Sequence, residues 1–268
     1  MAKAAGHTRL PAPLRRSEIM KILKRDGFVS VADISGALGV SEMTVRRDLD
    51  ALSEEALLER TFGGAMPRDG YDAHEPAFER RVSRMAAAKS AIARRAAALV
   101  APGDTLGLDV GTTTLALAGE LVGRADLRIF TSSLRAASLL SAGRSPVHVP
   151  GGEIRAGEMS IVGASAVEYL RGFDLDWTFL GVSGLSERGL YDYSVEDTEV
   201  KRALIDQAAR VVVLCDSLKF QRRALARIAG LERIHMVVSE AAPPDDLAAA
   251  LDAAGVKFIR AGETDETT

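Results

Sequence analysis

Ser41-Glu-Met-Thr-Val-Arg-Arg-Asp-Leu-Asp-Ala-Leu52, behind the dipeptide Gly39-Val40, decides the fold of the N-terminal region. At about 100° per residue, Val45, Leu49 and Leu52 fall on one narrow arc, the stripe of a half-buried helix. Met43, Arg47 and Asp50 then point the opposite way, with Thr44 and Arg46 on the flanks. Ser41 suits the N-cap, because its hydroxyl can accept from a free N–H of the first turn. Asp48 lies nearer the buried arc, so a structural hydrogen bond or ion pair is expected for it; a carboxylate beside phosphates is repelled. Two adjacent arginines and a hydroxyl near the N-terminal end are what a helix needs to read base edges in a major groove.

The neighbouring sequence supports that reading over ordinary solvated charges. Arg15 to Lys24 is a first amphipathic helix and Val31 to Leu38 a second, with Ile34 and Leu38 at core spacing. Gly39 supplies the turn into the third. After it, Leu57-Leu-Glu-Arg-Thr-Phe-Gly-Gly-Ala65 is a short strand pattern followed by a glycine pair, as in a β-hairpin wing. The candidate DNA contacts are Ser41, Met43, Thr44, Arg46, Arg47, Arg60, Gly63 and Gly64.

A chain of 268 residues with 47% hydrophobic and 26% charged content can fold as a small domain plus a larger one, and global disorder is excluded. No apolar run is long enough to cross a bilayer and no secretory pattern opens the chain, so a cytoplasmic, membrane-free protein is expected. The single cysteine, Cys215, lies in the apolar run Val211-Val-Val-Leu-Cys215 and is expected to be buried. Residues 1–68 carry 11 Lys and Arg against 9 Asp and Glu, while the remainder is net acidic within a total of −3. So slight a basic excess calls for local clustering and for two copies of the DNA-binding domain, hence a homo-oligomer, dimer or tetramer.

Met66 to Glu79 mixes proline, glycine and charge without periodicity and reads as a linker. Beyond it, apolar strands at Thr105–Leu108, Arg128–Phe130, Val147–Val149, Thr178–Leu180, Val211–Leu214 and Met236–Val238 alternate with alanine-rich helical segments. That pattern implies a mostly parallel α/β sheet. The expected organisation is a loose N-terminus over 1–13, a winged helix-turn-helix over 14–67, a linker over 68–80, an α/β domain over 81–262 and a loose tail over 263–268.

Small polar residues follow successive strands: Asp109-Val-Gly-Thr-Thr-Thr114, Thr131-Ser-Ser133, Gly151-Gly-Glu153, Gly181-Val-Ser-Gly184 and Asp216-Ser-Leu-Lys-Phe220. Ligands of open α/β sheets bind outside the carboxyl ends of the strands, at a switch in strand order. Gly111 lets backbone approach closely, Thr112, Thr113 and Thr114 offer hydroxyls, and the following helix aims free N–H groups at the loop, as a phosphate requires. No Gly-Lys-Ser/Thr follows, so this is not a nucleotide-hydrolysing loop. Lys201 and Lys219 could supply counter-charge. Taken singly, each threonine could be a cap and each lysine a solvated charge; together with Asp109, Ser132, Ser133, Gly151, Gly152, Glu153, Gly181, Ser183, Glu199 and Asp216 they make a candidate anion pocket.

Both halves resemble the DeoR family of bacterial sugar-metabolism repressors, from about Arg15 to Ser239. The resemblance is carried by Val40-Ser-Glu-Met-Thr-Val-Arg-Arg-Asp-Leu49, Gly63-Gly-Ala65, Asp109 with Gly111-Thr-Thr-Thr114, Gly151-Gly-Glu153, Gly181-Val-Ser-Gly184, Glu199-Val-Lys201 and Asp216-Ser-Leu-Lys-Phe220. It implies a winged helix-turn-helix joined to a Rossmann-like α/β sensor domain resembling ribose-5-phosphate isomerase, glucosamine-6-phosphate deaminase and coenzyme A transferase folds. Operator double-stranded DNA and a phosphorylated sugar or related metabolite that releases it are the implied partners. Ala56, Phe62, Val110 and Ser132 depart from residues frequent in the family. Tyr191-Asp-Tyr193 also differs, and reads either as an aromatic wall for a sugar or as a surface loop.

The alternative from another class is a sugar-phosphate isomerase or deaminase carrying a helical appendage. Such chemistry needs a carboxylate base near the substrate carbon. The isomerase relatives have paired aspartates after the strand that here ends in Gly181-Val-Ser-Gly184, and this chain has none there, so binding without turnover is expected. His7, His74, His148 and His235 show no metal-ligand spacing, and no metal or cofactor is expected.

Overall fold

The computed structural model describes residues 10–26, 29–55, 57–61, 64–66 and 77–262. The chain divides into two compact units, residues 1–76 and 77–268, a boundary that falls inside the expected linker. Ala56, Phe62, Gly63, His7, His74, most of the linker and the two termini lie outside the described residues.

The first unit runs α1 (Ala12–Asp26), β1 (Val29–Ser30), α2 (Val31–Leu38), α3 (Glu42–Glu54), β2 (Glu59–Thr61) and β3 (Gly64–Met66). The three strands form an antiparallel sheet in the order β1-β3-β2, the wing the sequence suggests. Ile19, Leu23, Ile34, Val45, Leu49 and Leu52 meet in its core. Gly39 closes α2 in the left-handed region, φ 63°, returning its N–H to the Ser35 carbonyl. That tight reversal lets α3 start three residues later.

The second unit continues with α4 (Phe78–Ser83), α5 (Ala86–Ala97), β4 (Thr105–Leu108), α6 (Thr112–Leu121), β5 (Arg128–Thr131), α7 (Leu134–Leu140), β6 (Val147–His148), β7 (Glu153–Arg155), β8 (Ser160–Val162) and α8 (Ala164–Arg171). It then runs β9 (Leu175–Gly181), β10 (Gly184–Ser186), β11 (Gly189–Asp192), α9 (Val195–Gln207), β12 (Ala208–Leu214), β13 (Ala226–Ala229), β14 (Met236–Ser239), α10 (Asp245–Ala253) and β15 (Lys257–Arg260). Seven strands pair in parallel in the order β15-β14-β12-β9-β4-β5-β6.

Both faces of this sheet are covered. Leu106, Leu108, Val212 and Leu214 pack with Ile92, Ala96 and Leu117 from α5 and α6, whereas Val211 and Val213 pack with Leu170, Leu204 and Leu247 from α8, α9 and α10. Two-sided burial explains why these strands read as apolar runs rather than alternating patterns. The chain enters the sheet at β4, moves out to β6, then returns to the other flank of β4 through β9. The strand order therefore reverses between β4 and β9, and all seven carboxyl ends share one edge.

Candidate functional site

On the first unit, Ser41 caps α3 as the sequence implies, its Oγ accepting from the Thr44 N–H at 3.3 Å and lying 2.9 Å from Thr44 Oγ1. Both hydroxyls are thus engaged in the helix start. Asp48 is buried and accepts from Arg15 Nη2 at 3.0 Å, Arg15 Nε and Arg16 Nε at 3.3 Å. It ties α3 to α1, the structural role expected of it. The outward face carries Met43, Arg46 and Arg47, all exposed. Arg46 pairs with Glu42 at 3.2 Å, and Arg60 reaches from the wing to Asp50 at 3.0 Å and to the Gly64 carbonyl at 3.4 Å. Both are solvent-facing pairs, worth about 0–1 kcal/mol, so either arginine can exchange its carboxylate for a phosphate.

On the second unit, the strand-order reversal brings Asp109, at the end of β4, against Gly181, at the end of β9. Asp109 Oδ2 accepts from the Gly181 N–H at 3.0 Å and from Lys201 Nζ of α9. Lys201 also donates to the Gly181 carbonyl at 3.1 Å and lies 3.3 Å from Asp192 Oδ2. Asp109 and Lys201 are each 1% exposed. Burial pushes the Asp109 carboxyl up to about 7 against the pull of Lys201. Burial opposes the Lys201 charge, yet Asp109, Asp192 and Asp197 more than reverse it and hold its pKa above the ordinary lysine value. Burial first, and the neighbouring Asp192 and Asp197 after it, thus weaken Asp109 as an acid, with Lys201 opposing them. Asp109 Oδ1 is buried without a hydrogen-bond partner among the described residues.

Next to this knot, α6 opens on Gly111 with φ 143° and no side-chain cap, which leaves its first turn to backbone N–H groups. A second charged group stands at the same edge. Lys89, at the start of α5, is 5% exposed and donates to the carbonyls of Arg81 and Arg84, which end α4. Burial lowers its pKa to about 8; Asp216 opposes that shift, while Lys219, Arg81 and Arg84 add to it. Lys89 therefore stands within electrostatic reach of the exit of β12.

Residues 15–69 match the DeoR-like helix-turn-helix domain, and residues 84–241 match the DeoR C terminal sensor domain. The chain belongs to the DeoR family. It is 33% identical to the putative aga operon transcriptional repressor of Escherichia coli O157:H7, over 93% of this chain and 94% of that one. It is 32% identical to the glycerol-3-phosphate regulon repressor of Escherichia coli K12, over 86% and 91% respectively. Among solved structures it is distantly similar to a ribose-5-phosphate isomerase from Methanocaldococcus jannaschii, 22% identical with a TM-score of 0.37, over 49% of this chain and 53% of that one. This DeoR-family protein is a DNA-binding transcriptional regulator rather than an enzyme.

Several residues of this regulator stand elsewhere than the sequence suggests. Lys201 is not an open counter-charge, because its ammonium is enclosed by Asp109, Asp192 and the Gly181 carbonyl. Glu199, two residues earlier on α9, is exposed on the opposite side and does not join the knot. Ser133 caps α7 by accepting from the Ala136 N–H at 3.2 Å, and Thr114 donates to the Gly111 carbonyl at 3.0 Å. Ser132 is buried, with its carbonyl accepting from Ile161, and Ser183 joins its N–H to the Tyr191 carbonyl. Gly151 and Gly152 lead into β7, which Glu153 opens with an exposed side chain; a Cβ on Gly152 would lie 2.5 Å from the Val162 carbonyl. Thr112 stays half-buried at the loop, Thr113 is buried, and Asp216 caps the turn that carries half-buried Lys219. Tyr191 does not stand on a surface loop: it is buried in β11, while Tyr193 accepts from Arg222 at 3.3 Å.

Sequence reading missed Lys89, Asp192 and Asp197. Lys89 shares the buried stripe of α5 with Ile92, Ala93 and Ala96, so a lysine at position i of an i, i+3, i+4, i+7 apolar pattern was the available signal. Asp197 stands four residues before Lys201 on one face of α9, a spacing that also points inward. His235 Nδ1 accepts from the Val211 N–H at 3.0 Å and His148 stacks on Phe130, both packing roles. Cys215 is buried, as expected, and burial pushes its thiol pKa up. Among the described residues no helix is long and apolar enough to cross a membrane.

Proposed function

We propose that this regulator is a cytoplasmic repressor of carbohydrate-metabolism genes, acting as a homo-oligomer on paired operator half-sites and released by a phosphorylated sugar or polyol. Met43 and Arg47 of α3 enter the major groove, with Arg46 on the flank of the helix and Arg60 and Gly64 of the wing on the backbone. Symmetry of the oligomer sets the half-site spacing.

The observation that carries the effector half of this reading is the position of Lys89. Its buried ammonium stands within reach of Asp216 and Lys219 at the strand-exit edge, where the uncapped start of α6 also opens. A dianionic phosphate ester relieves the mutual repulsion of Lys89 and Lys219 and accepts from the Gly111–Thr114 backbone. Lys201 serves the pocket indirectly by fixing Asp109, whose unpartnered Oδ1 is left to hydrogen-bond a sugar hydroxyl. An effector that prefers one arrangement of the DNA-binding units over the operator-bound one supplies the coupling energy.

A thermal-shift screen tests this with sugar phosphates, polyol phosphates including glycerol 3-phosphate, and their unphosphorylated parents, followed by operator release in a gel-shift titration. A phosphate ester that raises the melting temperature and frees the operator is expected. Equal shifts from parent and phosphorylated compounds would remove the anion pocket, and a stabilising ester that leaves operator binding unchanged would remove the relief mechanism.

A further inference from the structure

The outward face of α3 sorts its side chains by whether they have a partner. Arg46 is held by Glu42, and Arg60, arriving from the wing, is held by Asp50. The Arg47 side chain makes no hydrogen bond or ion pair with any other described residue. Met43 is the large apolar residue of that face, 58% exposed on a helix whose other core-type side chains, Val45, Leu49 and Leu52, are buried. It adds nothing to the core of the domain and sits in the first turn, the part of a recognition helix that meets base edges.

Resting on the proposed entry of α3 into the major groove, we infer that Met43 reads the C5-methyl group of a thymine in the operator, with Arg47 reading a nearby guanine. The major groove offers one apolar feature, the thymine methyl, and a long polarisable thioether can close over it. Guanine offers paired acceptors that suit a guanidinium with no other engagement. Met43 and Arg47 are four residues apart, so they stand about 6 Å apart along the helix axis and share one face. Base pairs stack about 3.4 Å apart. A recognition helix crosses the groove obliquely, so the thymine and guanine are one to two base steps apart, which makes the inference a statement about the half-site as well as about the protein. Arg46 and Arg60, already placed by carboxylates, take phosphates.

Selection of operator from random duplex with the full-length chain gives the half-site. Each thymine is then replaced by deoxyuridine, which removes the methyl and leaves the hydrogen-bonding pattern intact. At one position wild-type affinity should fall about fourfold, the worth of one buried methyl, and Met43→Ala should bind the two duplexes equally. Arg47→Ala should lose its preference for guanine one to two steps away. Alanine at an exposed helical position preserves folding, which the melting temperature verifies. Uracil without effect at every position would overturn the inference, as would a methyl preference that survives in Met43→Ala or a guanine preference that survives in Arg47→Ala.

Discussion

Lys201 of α9 meets Asp109 of the β4 exit across 92 residues of sequence, and the Gly181 backbone is bound to both. That three-way contact pins together the two strands between which the sheet reverses its order. A helix lysine thus fixes the floor of the strand-exit edge without facing solvent. The same enclosure makes the carboxylate a weak acid, because the low-dielectric surroundings penalise its charge more than one shared ammonium favours it.

Asp109 supplies a prediction about stability and pH. Its carboxyl is raised to about 7 from an ordinary 3.8, so between those values the native state binds more protons than the unfolded chain. Stability attributable to this group is present below about pH 4 and declines as pH climbs to 7. Asp109→Asn keeps an acceptor for the Gly181 N–H but cannot titrate. The wild-type-minus-variant unfolding free energy should therefore drop by a few kcal/mol from pH 4 to 7.5, roughly 1.4 kcal/mol per pKa unit. Urea unfolding followed by the fluorescence of the lone tryptophan, Trp177, measures it; a pH-independent difference would show that Asp109 is an ordinary ionised carboxylate.

Asp48 supplies a second prediction, on the DNA-binding unit. Asp48→Ala leaves the nearly buried Arg15 guanidinium without its bidentate partner, and breaking such a pair from one side costs about 3–5 kcal/mol. Far-UV circular dichroism should report early melting of this unit while the Trp177 signal of the other stays in place. A double variant with Arg15→Met and Asp48→Leu should recover much of the loss. If the single variant melts like wild type, the buried pair is not what joins α1 to α3.

How far the sequence announces these features depends on how local their cause is. Val45, Leu49 and Leu52 show their helix through rotation alone, and Ser41 and Gly39 mark its start and the turn before it through backbone chemistry. Val211 to Leu214 reads as a strand because both its faces are buried. By contrast β7 and β8, with three residues each, and β15, with only Phe258 and Ile259 as apolar members, lack any periodic signature. The Lys201–Asp109–Asp192 knot is legible only after strand order is known, since nothing local says that the exits of β4, β9 and β11 converge. Thr114 and Ser133 show the converse: hydroxyls that stand out in sequence make local hydrogen bonds at helix starts, which only the structure displays.

Arg46 and Arg47, adjacent in sequence, should behave differently on DNA. Arg47→Ala should cost about 1–3 kcal/mol of operator affinity, concentrated at one base position. Arg46→Ala, removing a residue already paired with Glu42 on the helix flank, should weaken all duplexes about equally and make the salt slope shallower by about one. Binding titrations on operator and scrambled duplex at several salt concentrations separate the two. Identical sequence-independent losses would mean that neither arginine reads a base.

Lys89 gives the most direct test of an anion at the strand-exit edge. Its pKa, lowered to about 8 chiefly by burial, places its loss of charge where a phosphate monoester, with a second pKa near 6, no longer titrates. Affinity for the ester should therefore fall about fivefold between pH 8 and 9, because binding must then import a proton. The unliganded protein should trend the other way. With a depressed lysine pKa the unfolded chain holds the extra proton between about 8 and the ordinary 10.5, so this group's contribution to stability grows as pH rises through that window. Lys89→Met should bind the ester weakly with no pH dependence and lose the stability trend as well. Calorimetric titration and urea unfolding at pH 7, 8 and 9 check both signs together. An ester whose affinity falls with pH equally in wild type and Lys89→Met would move the responsible group elsewhere, with Lys219 the next to substitute.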